Sequence, residues 1–418
     1  MVERGLRLLL RKESPSLRTG RRLNMVRRVC IVGGGMSKWG VREASLWDLV
    51  QEAGKECFED VPGLKPKDVD GLIFANSTAG RRGFQINSAP ICAERLGIKP
   101  KSICARVDVL CASGSTGILL AYGLIASGMA DIIMVVGAEK CYTPQKWEVF
   151  YSELATGDHD WDCVHGLGLP PPFFAMVAKE HMKHYGTTKE QLAWVSVINY
   201  NYGAENPKAQ FQKKLTLEEA LNAPEVVPPL TLYDCCPITD GAAAVILACE
   251  EKAKDLTDRP LVYIRGGAQV SLHACSANWP GEHFADWPHL RVAAQRAYEM
   301  AKVGPEDIDV AQTHDCFSIS EIIEVEELGF CKKGEGGPFI ESGQTKIGGK
   351  IPINTDGGLL SVGHPFGGTG IRQAIEIMKQ LQGRARFQVE GAEIGLTHNL
   401  SGLNFEHTIV IYGREPVK

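Results

Sequence analysis

Four stretches of this chain carry side chains able to do covalent chemistry. The first is "VDVLCASGST", residues 107–116, in which Cys111 ends an apolar run and is followed by small residues. Val107, Val109 and Leu110 predict a mostly buried strand with Asp108 as its polar break, and Ala112-Ser113-Gly114 cannot continue it. A helix starting near Gly117 would then hold the Cys111 thiol at a helix N-terminus, where unpaired N–H groups favour thiolate over thiol. Cysteine is also a good small core residue, and the chain has thirteen, so this stretch alone does not single out Cys111.

Three histidine stretches lie later in the chain. In "NTDGGLLSVGHPFGGTGIRQA", residues 354–374, His364 stands before a glycine-rich entry to a helix. Six glycines between 357 and 370 are more than a loop needs and permit close approach of backbone to a ligand. "THDCFSIS", 313–320, ends a predicted strand, where an α/β sheet presents functional groups. His314 and Cys316 are candidates there; a packed Cys316 with a capping Asp315 is the plainer alternative. In "GLTHNLSGLNF", 395–405, His398 and Asn399 precede a small Ser401-Gly402 turn between strands, and turn formation alone could account for those residues.

Other patterns carry less. His181 and His184 lie three apart on a predicted helix, with no acidic or cysteine ligand at a matching offset, so a solvated helix face is expected and no metal site. Cys235-Cys236 does not have zinc-ligand spacing. "IVGGGMSK" lacks the third glycine of a dinucleotide fingerprint, and a tight turn with positive φ explains its glycines. A net charge of −5 gives no electrostatic reason to bind nucleic acid or a membrane, and no apolar run approaches the ~18–20 residues of a spanning helix. The thirteen cysteines, without C-x-x-C pairs, suggest reduced thiols and a cytoplasmic location. Residues 1–24 are rich in Arg, Leu and Ser; either they are a mitochondrial-type leader or Met25 is the true start, the second being favoured because strand signals begin there at once.

These residues need a scaffold, and the chain repeats one. "KPKDVDGLIFAN" (65–76) matches "GPEDIDVAQTHD" (304–315), "RRVCIVGGG" matches "RPLVYIRGG", and "ADIIMVVGAE" (130–139) is paired with "EHTIVIYGRE" (406–415). Strand runs alternate with amphipathic helices, so the expected class is α/β, built as two similar halves, 25–257 and 258–418. An insertion at about 141–229, rich in Trp, His, Tyr and Pro, is expected to form a binding surface; the aromatics of "DHDWDCVHGLGLPPPFF" suggest a lined pocket.

Taken in order, "DVLCASGSTG", "HDCFS", "NTDGGLLSVGHPFGGTG" and "THNLSG" resemble the active-site stretches of the thiolase superfamily, and "CCPITDGAAAVIL" (235–247) resembles its return from the insertion to the core. The likeness spans 25–418. The resemblance implies a duplicated thiolase fold, two βαβαβαββ-type halves in a layered αβαβα core. Where degradative and biosynthetic thiolases carry an Asn-Glu motif and a second cysteine in a C-terminal C-x-G turn, this chain has His314-Asp315-Cys316-Phe317 and His398-Asn399-Leu400-Ser401-Gly402. Both departures are similar to the sterol-carrier-protein-type and related archaeal and bacterial acetyl-CoA acetyltransferase-like branch. By that resemblance Cys111 is acylated, His364 activates it and helps hold the enolate oxygen, Cys316 is the acid/base, and His314 sits beside the enolate oxygen. The Cys111 and Gly402 N–H groups bind the thioester oxyanion, and His398 lies near the pocket. Coenzyme A is implied as substrate or product, with no permanently bound cofactor. A homodimer or tetramer is implied too, as is a small zinc-ribbon and OB-fold acyl-CoA-binding partner. The alternatives are retro-aldol cleavage of a side-chain acyl-CoA, and acyl-CoA carriage by an inactive scaffold. Short, aryl and steroid side-chain acyl groups all occur in the branch.

Overall fold

The computed structural model describes residues 26–145 and 156–417; the 1–24 extension lies outside them. "LWDLVQEAGKECFED" places Leu49, Val50, Ala53 and Cys57 on one face of helix α1 (Leu46–Asp60), whose start is fixed by a reciprocal Ser45–Asp48 capping box. That face covers the first-half strands of the sheet, which are apolar runs buried on both sides apart from a half-buried edge strand. They are β1 (Val29–Met36), β2 (Gly71–Ala75), β3 (Cys104–Val107), β4 (Ile132–Glu139) and β5 (Gly241–Cys249). Four more belong to the second half: β6 (Val262–Ser271), β7 (Val310–Gln312), β8 (Ile394–Ser401) and β9 (Glu406–Gly413).

The strand order is β3-β2-β4-β5-β1-β6-β9-β8-β7. β2–β4 and β7–β8 are parallel pairs, while β4–β5 and β8–β9 are antiparallel. Each half therefore repeats one topology, and β1 meets β6 only through Cys30–Tyr263 and Ile31–Val262. Pairing makes β8 the counterpart of β4, and β9 that of β5. The sequence match of 130–139 to 406–415 is thus shifted by one strand: β8 carries His398, Asn399 and Ser401, which hide its apolar pattern.

Helices α2 (Ser113–Ala126) and α7 (Phe366–Leu381) lie against each other between the two halves, touching strands of both. Helix α1 covers the outer face of the first half and α5 (Pro288–Ala301) that of the second, giving the αβαβα layering. The insertion contributes α3 (Pro170–Tyr185) and α4 (Lys189–Gly203), which pack on α6 (Ser318–Glu327).

Two local expectations are corrected. Gly33-Gly34-Gly35 do not form a turn: they lie inside β1 without positive φ. A Cβ on Gly35 would stand 2.3 Å from Cys57 N, so the glycines let α1 sit directly on the strand. The stretch before Cys111 is a half-buried strand ending at Val107, since β3 is an edge strand paired only to β2.

Helix α7 meets the sheet backbone to backbone. A Cβ on Gly137 would come 1.9 Å from the Gly367 carbonyl oxygen. Gly137→Ala is expected to cost at least about 2 kcal/mol of stability through overpacking against main chain, read as a lowered urea midpoint with unchanged m-value.

Candidate active site

Cys111 occupies a single 3₁₀ turn, Leu110–Ala112, directly before α2. Leu110 has φ +43°, a left-handed conformation that costs a branched residue about 1 kcal/mol or more. Ser113 closes the turn: its hydroxyl accepts from Val109 N–H at 2.7 Å and donates to the Leu110 carbonyl at 2.7 Å. The helix accordingly starts at Ser113, four residues before the expected Gly117. The thiol is held directly before the N-terminal end of α2.

His364 sits between a π-turn, Gly358–Val362, and α7. Its backbone N–H donates to Thr239 Oγ1 at 3.0 Å and its Nδ1 lies 2.7 Å from Thr369 Oγ1. The Thr369 hydroxyl donates to the Pro365 carbonyl at 3.2 Å, so its oxygen accepts from Nδ1–H. That tautomer leaves the Nε2 lone pair available, and Nε2 has no partner among the described residues. Burial, and secondarily the Arg372 guanidinium, lower the His364 pKa to about 3, which keeps the ring a neutral base.

The turn after β7 supplies His314 and Cys316. His314 N–H donates to Glu324 Oε2 at 2.9 Å, and Cys316 N–H closes back on the His314 carbonyl at 2.7 Å. Burial holds the Cys316 thiol well above its ordinary pKa, in the protonated form. The imidazoles of His314 and His364 meet edge to face at 4.8 Å between centroids. Cys111 Sγ and a ring nitrogen from each of His314 and His364 all lie within 4.8 Å of one another. Folding thus gathers residues separated by 50 to 253 positions to one point.

Cys111 and His364 border a cavity of about 350 Å³ whose wall also includes Cys316 and Gly402, while His314 stands buried behind them. Gly402 has φ +57°, and a Cβ there would lie 2.6 Å from the Thr156 carbonyl oxygen, so only glycine fits. Ser401 Oγ donates to the Val109 carbonyl at 2.9 Å, tying the Gly402 turn to the Cys111 turn. The rest of the wall is mostly apolar: Leu169, Pro170, Pro171 and Phe174 from the insertion, with Ile238, Phe317, Phe366 and Leu400. Of the aromatic-rich segment, Leu169, Pro170, Pro171 and Phe174 line the cavity, whereas Trp161 is 58% exposed.

His398 is not in that wall. It lies inside β8 rather than in a turn; its Nε2 is 2.9 Å from His407 Nδ1 and its Nδ1 is 3.5 Å from Glu324 Oε1. Alternation along the strand decides this: Asn399 faces His314, so His398 points to the other side. His181 is buried between Thr187 and Glu326, while exposed His184 meets Glu180 four residues earlier and stacks on His283. Those three surface groups converge within 4.8 Å, so an acidic neighbour does exist. His283 Nδ1, however, accepts from Ala285 N–H, which leaves the proton on Nε2 and withholds its lone pair from a metal.

Several site residues carried no recognisable signal. Thr369 and Asn399 are ordinary polar residues in sequence and orient the two imidazoles only in the fold. Glu139 ends β4, accepting from Ser77 N–H at 2.7 Å and Gly367 N–H at 3.3 Å; burial raises its pKa to about 7. Asp315 does not cap a helix. It accepts from Leu359 N–H, Leu360 N–H and Asn199 Nδ2 at 2.7, 3.2 and 2.8 Å, fastening the His314 turn to the loop before His364.

The chain belongs to the thiolase family. The thiolase N-terminal domain matches residues 29–251 and the thiolase C-terminal domain-like family residues 282–414. An acetyl-CoA acetyltransferase of Methanothermobacter thermautotrophicus is 41% identical over 397 residues, 93% of this chain and 100% of that protein. Sterol carrier protein 2 of Bos taurus is 34% identical over 92% of this chain and 72% of its own length. Among solved structures, the Ltp2–ChsH2(DUF35) aldolase matches with TM-score 0.79 and 28% identity over 92% of this chain and 97% of its own. Human mitochondrial 3-ketoacyl-CoA thiolase matches with TM-score 0.71 and 18% identity over 93% and 99%.

Asp315 Oδ2 and Glu321 Oε2 both accept from Asn199 Nδ2, at 2.8 Å each, and Glu321 is fully buried. Burial, and then Asp315, push the Glu321 carboxyl well above its ordinary pKa. The native state therefore keeps a proton that the unfolded chain releases from about pH 4.3 upward, and this contribution to stability falls as pH rises. Glu321→Gln, which mimics the protonated acid, is expected to match the wild type near pH 4. It should gain on it progressively as the pH rises above that, in urea unfolding at pH 5, 6 and 7. Parallel pH profiles would show that Glu321 is ionised in the native state.

Proposed function

We propose that this chain makes or cleaves a 3-oxoacyl-CoA through an acyl-Cys111 intermediate. The observation that carries the reading is the convergence of Cys111 Sγ with the His314 and His364 nitrogens beside a largely apolar cavity. A Claisen-type exchange needs a nucleophile, its base, a second acid/base and two sites for negative oxygen. In the thiolytic direction, His364 takes the Cys111 proton and the thiolate attacks the 3-keto carbon. The C2–C3 bond then breaks, the acyl group stays on sulfur, and the leaving enolate receives a proton at carbon from the Cys316 thiol. Coenzyme A thiol next gives its proton to the Cys316 thiolate and attacks the acyl-enzyme, and Cys111 leaves as a thiolate that takes its proton back from His364. The Cys111 and Gly402 N–H groups receive the thioester oxyanion, and His314 with His364 stands at the enolate oxygen.

Coenzyme A is the acyl carrier and no resident cofactor is required. A cytoplasmic setting fits this chemistry, and no helix among the described residues is long and apolar enough to cross a membrane. Two features support association. Edge strand β3 is hydrogen-bonded on one side only, and Phe84 and Ile86 nearby are 88% and 80% exposed. A homodimer through this edge is part of the proposal. The likeness to the Ltp2–ChsH2(DUF35) aldolase supports a small acyl-CoA-binding partner, and it favours retro-aldol cleavage as the second reading.

Mass spectrometry of the protein after incubation with a panel of 3-oxoacyl-CoA thioesters tests the proposal. An acyl adduct on the Cys111 peptide is expected, absent in Cys111→Ala, and its mass names the acyl class. C–C cleavage without an adduct, persisting in Cys111→Ala, would assign the retro-aldol reaction instead. His364→Ala is expected to lower the rate of adduct formation by about 10²–10⁴-fold, the usual contribution of a positioned base.

A further inference from the structure

The two imidazoles beside Cys111 are wired differently. His364 gives its Nδ1 proton to Thr369, whose own hydroxyl proton is committed to the Pro365 carbonyl. His314 Nδ1 instead lies 2.9 Å from Asn399 Nδ2, and an amide NH₂ is only a donor. The Asn399 side chain is oriented from its other end, where the Ser115 hydroxyl donates to Oδ1. A Cβ on Gly370 would stand 2.6 Å from Asn399 Oδ1, so glycine there leaves room for the amide. His314 and Asn399 are fully buried, and no described residue partners His314 Nε2.

We propose that Asn399 is a positioning residue that locks His314 in the Nε2–H tautomer, so that His314 serves as a hydrogen-bond donor to a substrate oxygen and never as the base. The geometry at the site is complementary in consequence. His364 presents a lone pair and His314 presents a proton, so the two rings meeting edge to face do not oppose two lone pairs. Acting through Ser115, the helix that starts behind Cys111 also sets the polarity of the imidazole across from it. This assignment of work between the histidines rests on the thiolase reading for its catalytic meaning, but the tautomer itself does not.

Nitrogen NMR of the full-length protein labelled with [¹⁵N]histidine, with His314 assigned by loss of its signals in His314→Asn, reads the tautomer directly. The expected result is a protonated, pyrrole-like Nε2 and a pyridine-like Nδ1 across pH 6–8. A protonated Nδ1 would overturn the proposal. Asn399→Asp replaces the donor by an acceptor and is expected to move the His314 proton to Nδ1. Turnover should fall about 10²-fold, the cost of one oxyanion donor, with KM changed much less, and a new pH dependence should appear as the carboxylate favours imidazolium. An Asn399→Asp enzyme with wild-type turnover would also overturn it. Should that variant not fold, Asn399→Ala serves the same purpose: without the amide donor, Nδ1-protonated ring should appear in its spectrum, and an unchanged pure Nε2–H signal would overturn the role of Asn399. A wild-type spectrum as expected, together with no reaction of any 3-oxoacyl-CoA, would leave the tautomer standing and defeat the thiolase reading alone.

Discussion

The site depends on two helices that touch without side chains between them. A Cβ on Gly114 of α2 would lie 2.6 Å from the Gly367 carbonyl oxygen of α7, and one on Gly370 of α7 would lie 2.6 Å from Ser115 N. Only glycine at these positions lets the N-terminal turns of both helices approach to main-chain contact. Cys111 precedes one helix and His364 the other, so the distance between nucleophile and base is set by backbone packing and not by flexible side chains. The same approach brings Ser115 to Asn399, and hence to His314. Larger residues there would spread the helices and separate the reacting groups together.

Around that contact the protein excludes water and lets burial set protonation. His364 is held neutral, the Cys316 thiol is held protonated, and His314 lies well below its ordinary pKa, each with burial as the first cause. A neutral imidazole can take a proton from a thiol, and a protonated thiol can give one to a carbanion. The low-dielectric surroundings that produce these states also strengthen the N–H contacts to a developing oxyanion. Two of the buried carboxyls, Glu139 and Asp315, are surrounded by donors. Glu139 and Asp315 accept from backbone N–H groups of the loops they fasten, so their burial is offset by several hydrogen bonds and the loops gain a fixed position.

The insertion completes the cavity and, among the described residues, adds no charged side chain to its wall. Leu169, Pro170, Pro171 and Phe174 form one wall, opposite Phe366 and Leu400 from the second half. Prolines at the first turn of α3 start that helix where its N–H groups need no partner, so the wall is stiff as well as apolar.

The sequence by itself determined the class of fold, the duplication and the order of the reactive stretches. Cys111, His314, Cys316, His364 and Gly402 stand in short segments whose order and composition together resemble thiolase active-site stretches; the structure gathers Cys111, His314 and His364 and sets Cys111, Cys316, His364 and Gly402 in one cavity wall. Apolar runs and helical spacing are local properties, which is why they are legible without a fold. What tertiary structure alone decided is which side of a strand faces the site and what lies behind each catalytic group. His398 and Asn399 are adjacent in sequence, yet alternation along β8 sends one to His407 and the other to His314. The β4–β8 correspondence was hidden because β8 carries polar residues, and only strand pairing revealed it. Thr369, Asn399, Glu139 and Asp315 act through partners distant in the chain, apart from the short Thr369–His364 link, and a hydrogen bond between distant residues leaves no spacing in a sequence. The proton positions that divide the work between two similar histidines belong to that second category.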